Sequence, residues 1–149
     1  MRRTDPKIQL LRRVGLRDET DRELAELAPL VDEVEFDVGD VLMEEGRTAF
    51  EAFIIVEGTA SVSIDAHHIA TLGPGEMVGE MALLDHSPRS ATVTAATPMR
   101  LLAMDPRSFA SLLRRPTIGW RVAAELAQRL RRAEGAPTFD DRRASGAQA

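Results

Sequence analysis

The sequence has no cysteine, which rules out disulfides, thiolate nucleophiles and cysteine-held iron-sulfur clusters. No apolar run approaches the roughly 20 residues that cross a bilayer as a helix. The basic start, Met1-Arg2-Arg3, is followed by no apolar segment of signal-peptide length. A cytoplasmic chain with no membrane partner is therefore expected. The formal net charge of −5 argues against unspecific binding to nucleic acid, which needs a basic surface. Arginines do gather near both ends (Arg2, Arg3, Arg12, Arg13 and Arg129, Arg131, Arg132), but both sets fall in helical patterns and read as solvated faces. His67, His68 and His86 have no metal-ligand spacing and read as solvent-facing turn residues. No metal, no cofactor and no catalytic set is expected.

What is present fits one domain with a sizeable core, since 149 residues is near the usual size of a single fold. The first part is helical, with Ile8, Leu11 and Val14 on one face and Gly15 as a break. A second helix opens at Thr20. Thr20 and Glu23 have capping-box spacing, Leu24, Leu27, Ala28 and Val31 repeat at helical intervals, and Pro29 ends the run. From residue 32 the period becomes two. Val34, Phe36 and Val38 alternate with acids before a turn at Gly39-Asp40, and further short segments follow: AFIIVEG, TASVSID, HIATL, ATVTAA and RLLAMD. Closely spaced strands of this kind build an antiparallel barrel, sandwich or jelly roll. After Asp105-Pro106 the helical period returns. Phe109, Leu112 and Leu113 lie on one helix, and Ile118, Val122, Leu126 and Leu130 repeat every fourth residue on the last. The expected class is mainly β with flanking helices, with N-terminal helices over about 5–31, an antiparallel β-roll over about 32–104 and C-terminal helices over about 106–133. Residues 1–134 make the domain. The small, polar stretch 135–149 is expected to be a disordered tail.

The chemistry concentrates in one stretch, GEMVGEMALLDHSPRSATV, residues 75–93. A turn that opens a helix exposes backbone N–H groups with no intrahelical partner, and the local dipole favours an anion there. Gly79 permits close backbone approach, and residues 81–84 can supply the helical turn. Arg89 would add a forked, permanently charged donor for an oxyanion. Glu80 is out of place beside a phosphate unless it accepts from a sugar hydroxyl, as an acidic residue does for ribose in dinucleotide sites. The ligand so implied carries both ribose and phosphate.

Residues 79–93, GEMALLDHSPRSATV, resemble the phosphate-binding cassette of cyclic nucleotide-binding domains. The form is most similar to that in regulatory subunits of cAMP-dependent protein kinase. The resemblance extends through FDVGDVLMEEG, FIIVEGTASVSI and LGPGEMVGE, and spans roughly residues 8–132. It implies a double-stranded jelly roll of the kind also found in catabolite activator proteins. It further implies a ligand-binding set of Gly79, Glu80, Met81, Ala82, Leu83, Arg89 and Ser90. Glu80 would take the ribose 2′-hydroxyl and Arg89 the exocyclic phosphate oxygens. The N–H groups of Ala82 and Leu83 would contact the phosphate, and Ser90 the phosphate or the purine edge. Val62, Ala70, Leu72 and Val78 would line the pocket. Arg129 and Leu130 lie in the region from which family members cap the base.

The resemblance also sets limits. Transcription factors of this family carry a helix-turn-helix after the dimerising helix, and only 19 residues follow Leu130 here. Direct DNA binding is thus not expected. The function implied is a stand-alone, non-enzymatic sensor of a cyclic nucleotide, cAMP ahead of cGMP, acting on a homodimer mate or an effector protein. The alternatives are a degenerate domain kept as a protein-interaction module, and an auxiliary transcription regulator without its own DNA-binding element.

Overall fold

The computed structural model describes residues 6–48 and 50–133. The expected tail at 135–149 lies outside the described residues. The chain forms two compact units, Met1–Leu112 and Leu113–Ala149.

The first unit begins with α1 (Pro6–Arg13) and α2 (Asp21–Leu27). α1 buries Ile8, Leu10 and Leu11. α2 starts where the sequence places its cap: Glu23 N–H donates to Thr20 Oγ1 at 3.1 Å, and Thr20 N–H donates to a Glu23 carboxylate oxygen at 2.8 Å. Two N–H groups with no helical partner are satisfied reciprocally in this way. Arg12 joins the two helices, donating to the carbonyl oxygens of Arg17 and Glu19 and pairing with Asp21. Leu24, Leu27, Ala28 and Val31 are all buried, and a 3-10 turn at Ala28–Leu30 forms at Pro29.

Eight strands follow: β1 (Asp32–Phe36), β2 (Val41–Met43), β3 (Ala52–Glu57), β4 (Ala60–Ile64), β5 (His67–Leu72), β6 (Met77–Val78), β7 (Thr92–Ala95) and β8 (Met99–Met104). They make two four-stranded sheets, ordered β1-β8-β3-β6 and β2-β7-β4-β5, with antiparallel pairings throughout. α3 (Glu80–Asp85) interrupts the strands between β6 and β7, and α4 (Pro106–Leu113) follows β8. α4 is capped as expected, Ser108 N–H donating to Asp105 Oδ1 at 2.7 Å. This bond holds the Asp105 carboxyl below the usual carboxylate range.

The core forms from both sheets. Leu42, Phe53, Ile55, Val78, Val93, Met99 and Leu101 form one buried cluster, against which Val34, Phe36, Met43, Val62 and Leu72 pack. Phe36 and Phe53 meet edge to face, with ring centroids 6.0 Å apart. Burying a side chain of this size contributes about 1.5–3 kcal/mol, so the cluster dominates the stability of the roll. β3 is buried at five consecutive positions: Phe53 and Ile55 face the shared core, and Ala52, Ile54 and Val56, on the opposite face, are covered as well. Ion pairs also link three neighbouring strands of that sheet: Arg100 on β8 lies 3.2 Å from Glu33 on β1 and 3.9 Å from Glu57 on β3, which also pairs with Arg13 at 3.0 Å. These groups are half-exposed, so each pair is worth little by itself.

Two sequence expectations are corrected. Val38 continues the alternation of Val34 and Phe36 on paper, yet it is 61% exposed, because β1 ends at Phe36 and the turn takes over. In that turn Asp37 N–H donates to Asp40 Oδ2 at 2.8 Å. His67 and His68 are not turn residues. They lie on β5, exposed, with His68 Nδ1 2.8 Å from Ser61 Oγ. The turn is Asp65-Ala66, both left-handed, with φ of 50° and 68°.

The second unit contains α5 (Pro116–Ala133), in which Ile118 and Val122 are buried.

Two substitutions test this reading with opposite signs. Ala66→Gly relieves a left-handed alanine in a two-residue hairpin turn and is expected to stabilise by about 1 kcal/mol. Thr20→Ala removes the α2 cap and is expected to destabilise by about 1 kcal/mol. Urea denaturation of each variant beside the parent chain gives both values, and the same sign for the two contradicts the turn assignment.

Candidate nucleotide-binding site

The site is built around Gly79, which joins β6 to α3 with φ of 83° and ψ of 5°. This left-handed conformation is costly for any residue with a Cβ. Space is a second constraint: a Cβ at Gly79 would lie 2.5 Å from Arg89 Nη1 and 3.3 Å from the Glu51 carbonyl oxygen. Glycine is therefore what lets the arginine side chain pass against the backbone at the entry to α3.

Arg89 is fixed at both ends. Its N–H donates to the Arg47 carbonyl oxygen at 2.9 Å, and its own carbonyl accepts from Gly46 N–H at 2.9 Å, tying it to the turn after β2. The guanidinium Nη1 donates to the Gly79 carbonyl oxygen at 2.8 Å, and Nη2 donates to the Glu51 carbonyl oxygen. Arg89 is only 7% exposed. Burial pulls its pKa below the usual guanidinium value, while the charges of Glu51 and Glu80 oppose that shift. A guanidinium does not lose its proton in a protein, so a buried cation persists here. Both hydrogen bonds go to neutral carbonyls, and among the described residues none forms an ion pair with it.

Glu80, the first residue of α3, is 1% exposed. Gly79, Glu80 and Arg89 thus come together in the first unit, as the motif spacing suggests. Ala82 is buried, Leu83 half-buried, and Met81 enters through the α3 backbone. Ser90, next to Arg89, is exposed. Val62 pairs with Ala70 and Ala60 with Leu72 across β4 and β5, so Val62, Ala70 and Leu72 share the inner face of that sheet. Val78 sits on the other sheet, buried in the common core. Arg129 and Leu130 belong to α5 in the second unit.

A recess of about 240 Å³ is lined by Thr48, Ala82, Leu83, His86, Ser87, Pro88 and Pro106. It takes in two of the candidate residues, Ala82 and Leu83, and leaves out Glu80 and Arg89. Three contributors escape sequence reasoning. Glu51 enters through its carbonyl, and Gly46 and Arg47 hold the Arg89 backbone. A main-chain acceptor leaves no side-chain signature, although a glycine at Gly46 with φ of 83° marks a turn built for a close approach. Among the described residues no group of three or more His, Asp or Glu is placed to hold a metal ion, and no helix is long and apolar enough to cross a membrane.

A roll of two antiparallel sheets, interrupted by a short helix that opens at Gly79-Glu80 and is followed by a buried arginine, defines a class of small-ligand sensor domain. The profile of that class, the cyclic nucleotide-binding domain, matches residues 33–116, and the chain belongs to this family. The Cyclic AMP receptor protein of Thermus thermophilus is 46% identical over 67 residues, 44% of this chain and 31% of that protein. The chain therefore spans less than a third of that relative. Among solved structures, PKAR CBD2 with Sp-2Cl-cAMPS bound is similar at a TM-score of 0.70 and 27% identity, over 87% of this chain and 92% of that one. The regulatory subunit of a cAMP-independent protein kinase A from Trypanosoma brucei is similar at a TM-score of 0.71 and 26% identity, over 85% of this chain and 47% of that one.

Gly79→Ala tests the geometry. Strain at φ of 83° and the clash with Arg89 are expected to lower the melting temperature by several degrees and to displace the guanidinium. An Arg89 side-chain NMR signal unchanged in Gly79→Ala would contradict the close approach.

Proposed function

We propose that this chain is a cyclic nucleotide-binding regulatory domain, non-enzymatic, with cAMP preferred to cGMP. The observation that carries the reading is Arg89: a buried guanidinium bonded to neutral carbonyls, beside a buried carboxylate at the start of α3. Taking a cation out of water is unfavourable unless an anion or several donors' acceptors replace the lost hydration. A cyclic phosphate would supply that anion. Glu80 would accept the ribose 2′-hydroxyl, and the N–H groups of Ala82 and Leu83 would meet the phosphate. Val62, Ala70, Leu72 and Val78 would give the site its apolar side, and Ser90 would border the phosphate or the base.

Ligand occupancy would reach a partner by shifting the population of α3 conformers. Only a difference in nucleotide affinity between two states can drive such a shift. The partner would be a second copy of the chain or an effector protein. A cytoplasmic location and the absence of direct DNA contact belong to the same reading, as does residues 1–134 acting as the domain.

A second reading has specific support. The two carbonyl bonds of Arg89 would serve equally as a structural brace for the turn between β2 and β3, and a similar fold occurs in a kinase subunit described as cAMP-independent. In that case the domain is an interaction module with no nucleotide, and an auxiliary role in transcription would run through its partner.

Titration calorimetry of cAMP and cGMP into nucleotide-free protein separates the two. Saturable binding, weakened roughly 10- to 150-fold by Arg89→Ala, is the outcome expected for a lost charge-assisted contact of about 1.5–3 kcal/mol. Absence of heat, with an unchanged melting temperature, supports the brace. Glu80→Ala is expected to weaken cAMP more than its 2′-deoxy analogue, and equal losses contradict the ribose assignment.

A further inference from the structure

The turn that carries Arg89 is held in place by a residue outside the stretch 75–93. β2 pairs with β7 only at Val41 and Met43, with a register shift between them, so the ladder stops short of that turn. Gly46 and Arg47 follow, both exposed, and their backbone takes both main-chain bonds of Arg89. The turn closes on itself through Arg47 N–H, which donates to the Glu44 carbonyl oxygen at 3.2 Å, and through an exposed Glu44–Arg47 pair at 3.7 Å. These two contacts set the shape of the turn, not its place on the roll.

Its place is set by Glu45. Glu45 N–H donates to Thr92 Oγ1 at 3.1 Å, and the Thr92 hydroxyl donates back to a Glu45 carboxylate oxygen at 3.2 Å. The same carboxylate accepts from Asp65 N–H, which lies 3.2 and 3.4 Å from its two oxygens. In a sheet ordered β2-β7-β4-β5, one half-buried side chain thus runs from the end of β2 past β7 to the β4–β5 turn. Arg89 and Thr92, the two ends of one short segment, are both tied to residues 45–47. We propose that Glu45 is a positioning residue of the nucleotide site, acting through Arg89 rather than on the ligand. A guanidinium binds an oxyanion well only when its donors are held within roughly 0.5 Å of their place. The charges that bear on the Arg89 guanidinium are those of Glu51 and Glu80, so Glu45 works through its hydrogen bonds. Charge alone would act with the opposite sign, since removing a carboxylate near an anion site strengthens anion binding. The inference deepens the nucleotide reading and rests on it for the ligand, while the placement of Arg89 is read without one.

The test combines cAMP titration with the ¹⁵N NMR signals of Arg89 in the nucleotide-free full chain. Glu45→Ala is expected to shift the Arg89 backbone and guanidinium signals and to weaken cAMP roughly three- to tenfold. Thr92→Val, which keeps the branched shape and loses the hydroxyl, moves the same signals. Glu45→Gln keeps an oxygen for both donors and stays within about twofold of the parent. In an Arg89→Ala background Glu45→Ala causes no further loss, because the two act as one unit. Glu44→Ala, which removes the neighbouring exposed carboxylate, leaves affinity and Arg89 signals in place. The proposal is overturned if Glu45→Ala lowers the melting temperature with the Arg89 signals unmoved, or if the losses in the double variant add. Equal effects of Gln and Ala, or tighter binding by both, would make charge the cause and overturn it as well. Absence of cAMP binding by the parent chain, with the Arg89 signals still displaced by Glu45→Ala, would count against the nucleotide reading alone.

Discussion

The structure turns on a buried positive charge. Arg89 is only 7% exposed, and a guanidinium so placed gives up most of its hydration and needs acceptors in its place. The Gly79 and Glu51 carbonyls meet part of the requirement. Much of the local design follows. Gly79 lacks a side chain because the arginine occupies its space, the β6-to-α3 turn is left-handed, and the backbone around Arg89 is pinned to Gly46 and Arg47. Pro88 precedes the arginine and fixes the path by which it enters. Removing the charge would relax all of these together, and neighbours coupled in this way do not respond additively to substitution.

The two sheets supply rigidity rather than chemistry. Their shared core is formed from aliphatic side chains, methionines and two phenylalanines, and the candidate polar groups sit on the connection between β6 and β7. Functional groups on loops held by a stiff scaffold are a common arrangement, because the scaffold sets their geometry while the loop is free to vary. α3 is short and flanked by left-handed residues, Gly79 before it and His86 after it. A left-handed histidine is strained relative to glycine, and strain of this kind gathers where a segment exchanges between arrangements. The recess beside α3, with Thr48, Ser87 and Pro106 on its walls, gives such a segment room to change position.

Much of this was legible in the sequence, for physical reasons that differ by element. The α2 cap was readable because Thr20 and Glu23 act through side chains at a fixed spacing, and the structure shows both hydrogen bonds. The strands were readable from alternation, and β3 from an unbroken apolar run that fits a strand covered on both faces. The meeting of Gly79, Glu80 and Arg89 was readable from motif spacing. Three features were not. Val38 follows the period of β1 but belongs to a turn, since alternation does not say where pairing stops. The Asp65-Ala66 turn lacks the Asn-Gly or Asp-Gly signature of a tight hairpin, and polar histidines beside it resemble the break instead. Glu51 contributes a carbonyl oxygen, which every residue possesses and no pattern marks.

The central claim is that Arg89 meets the phosphate of a cyclic nucleotide, and the most direct measurement is NMR of the ¹⁵N-labelled arginine side chains as cAMP is added to nucleotide-free protein. The account predicts that the Arg89 guanidinium signals and the amide signals of Gly79 and Ala82 shift together and saturate at one equivalent, and that the signals of Arg100, which pairs with Glu33 across β8 and β1, stay in place. Binding that leaves the Arg89 signals unmoved would contradict it, and so would arginine shifts that fail to saturate.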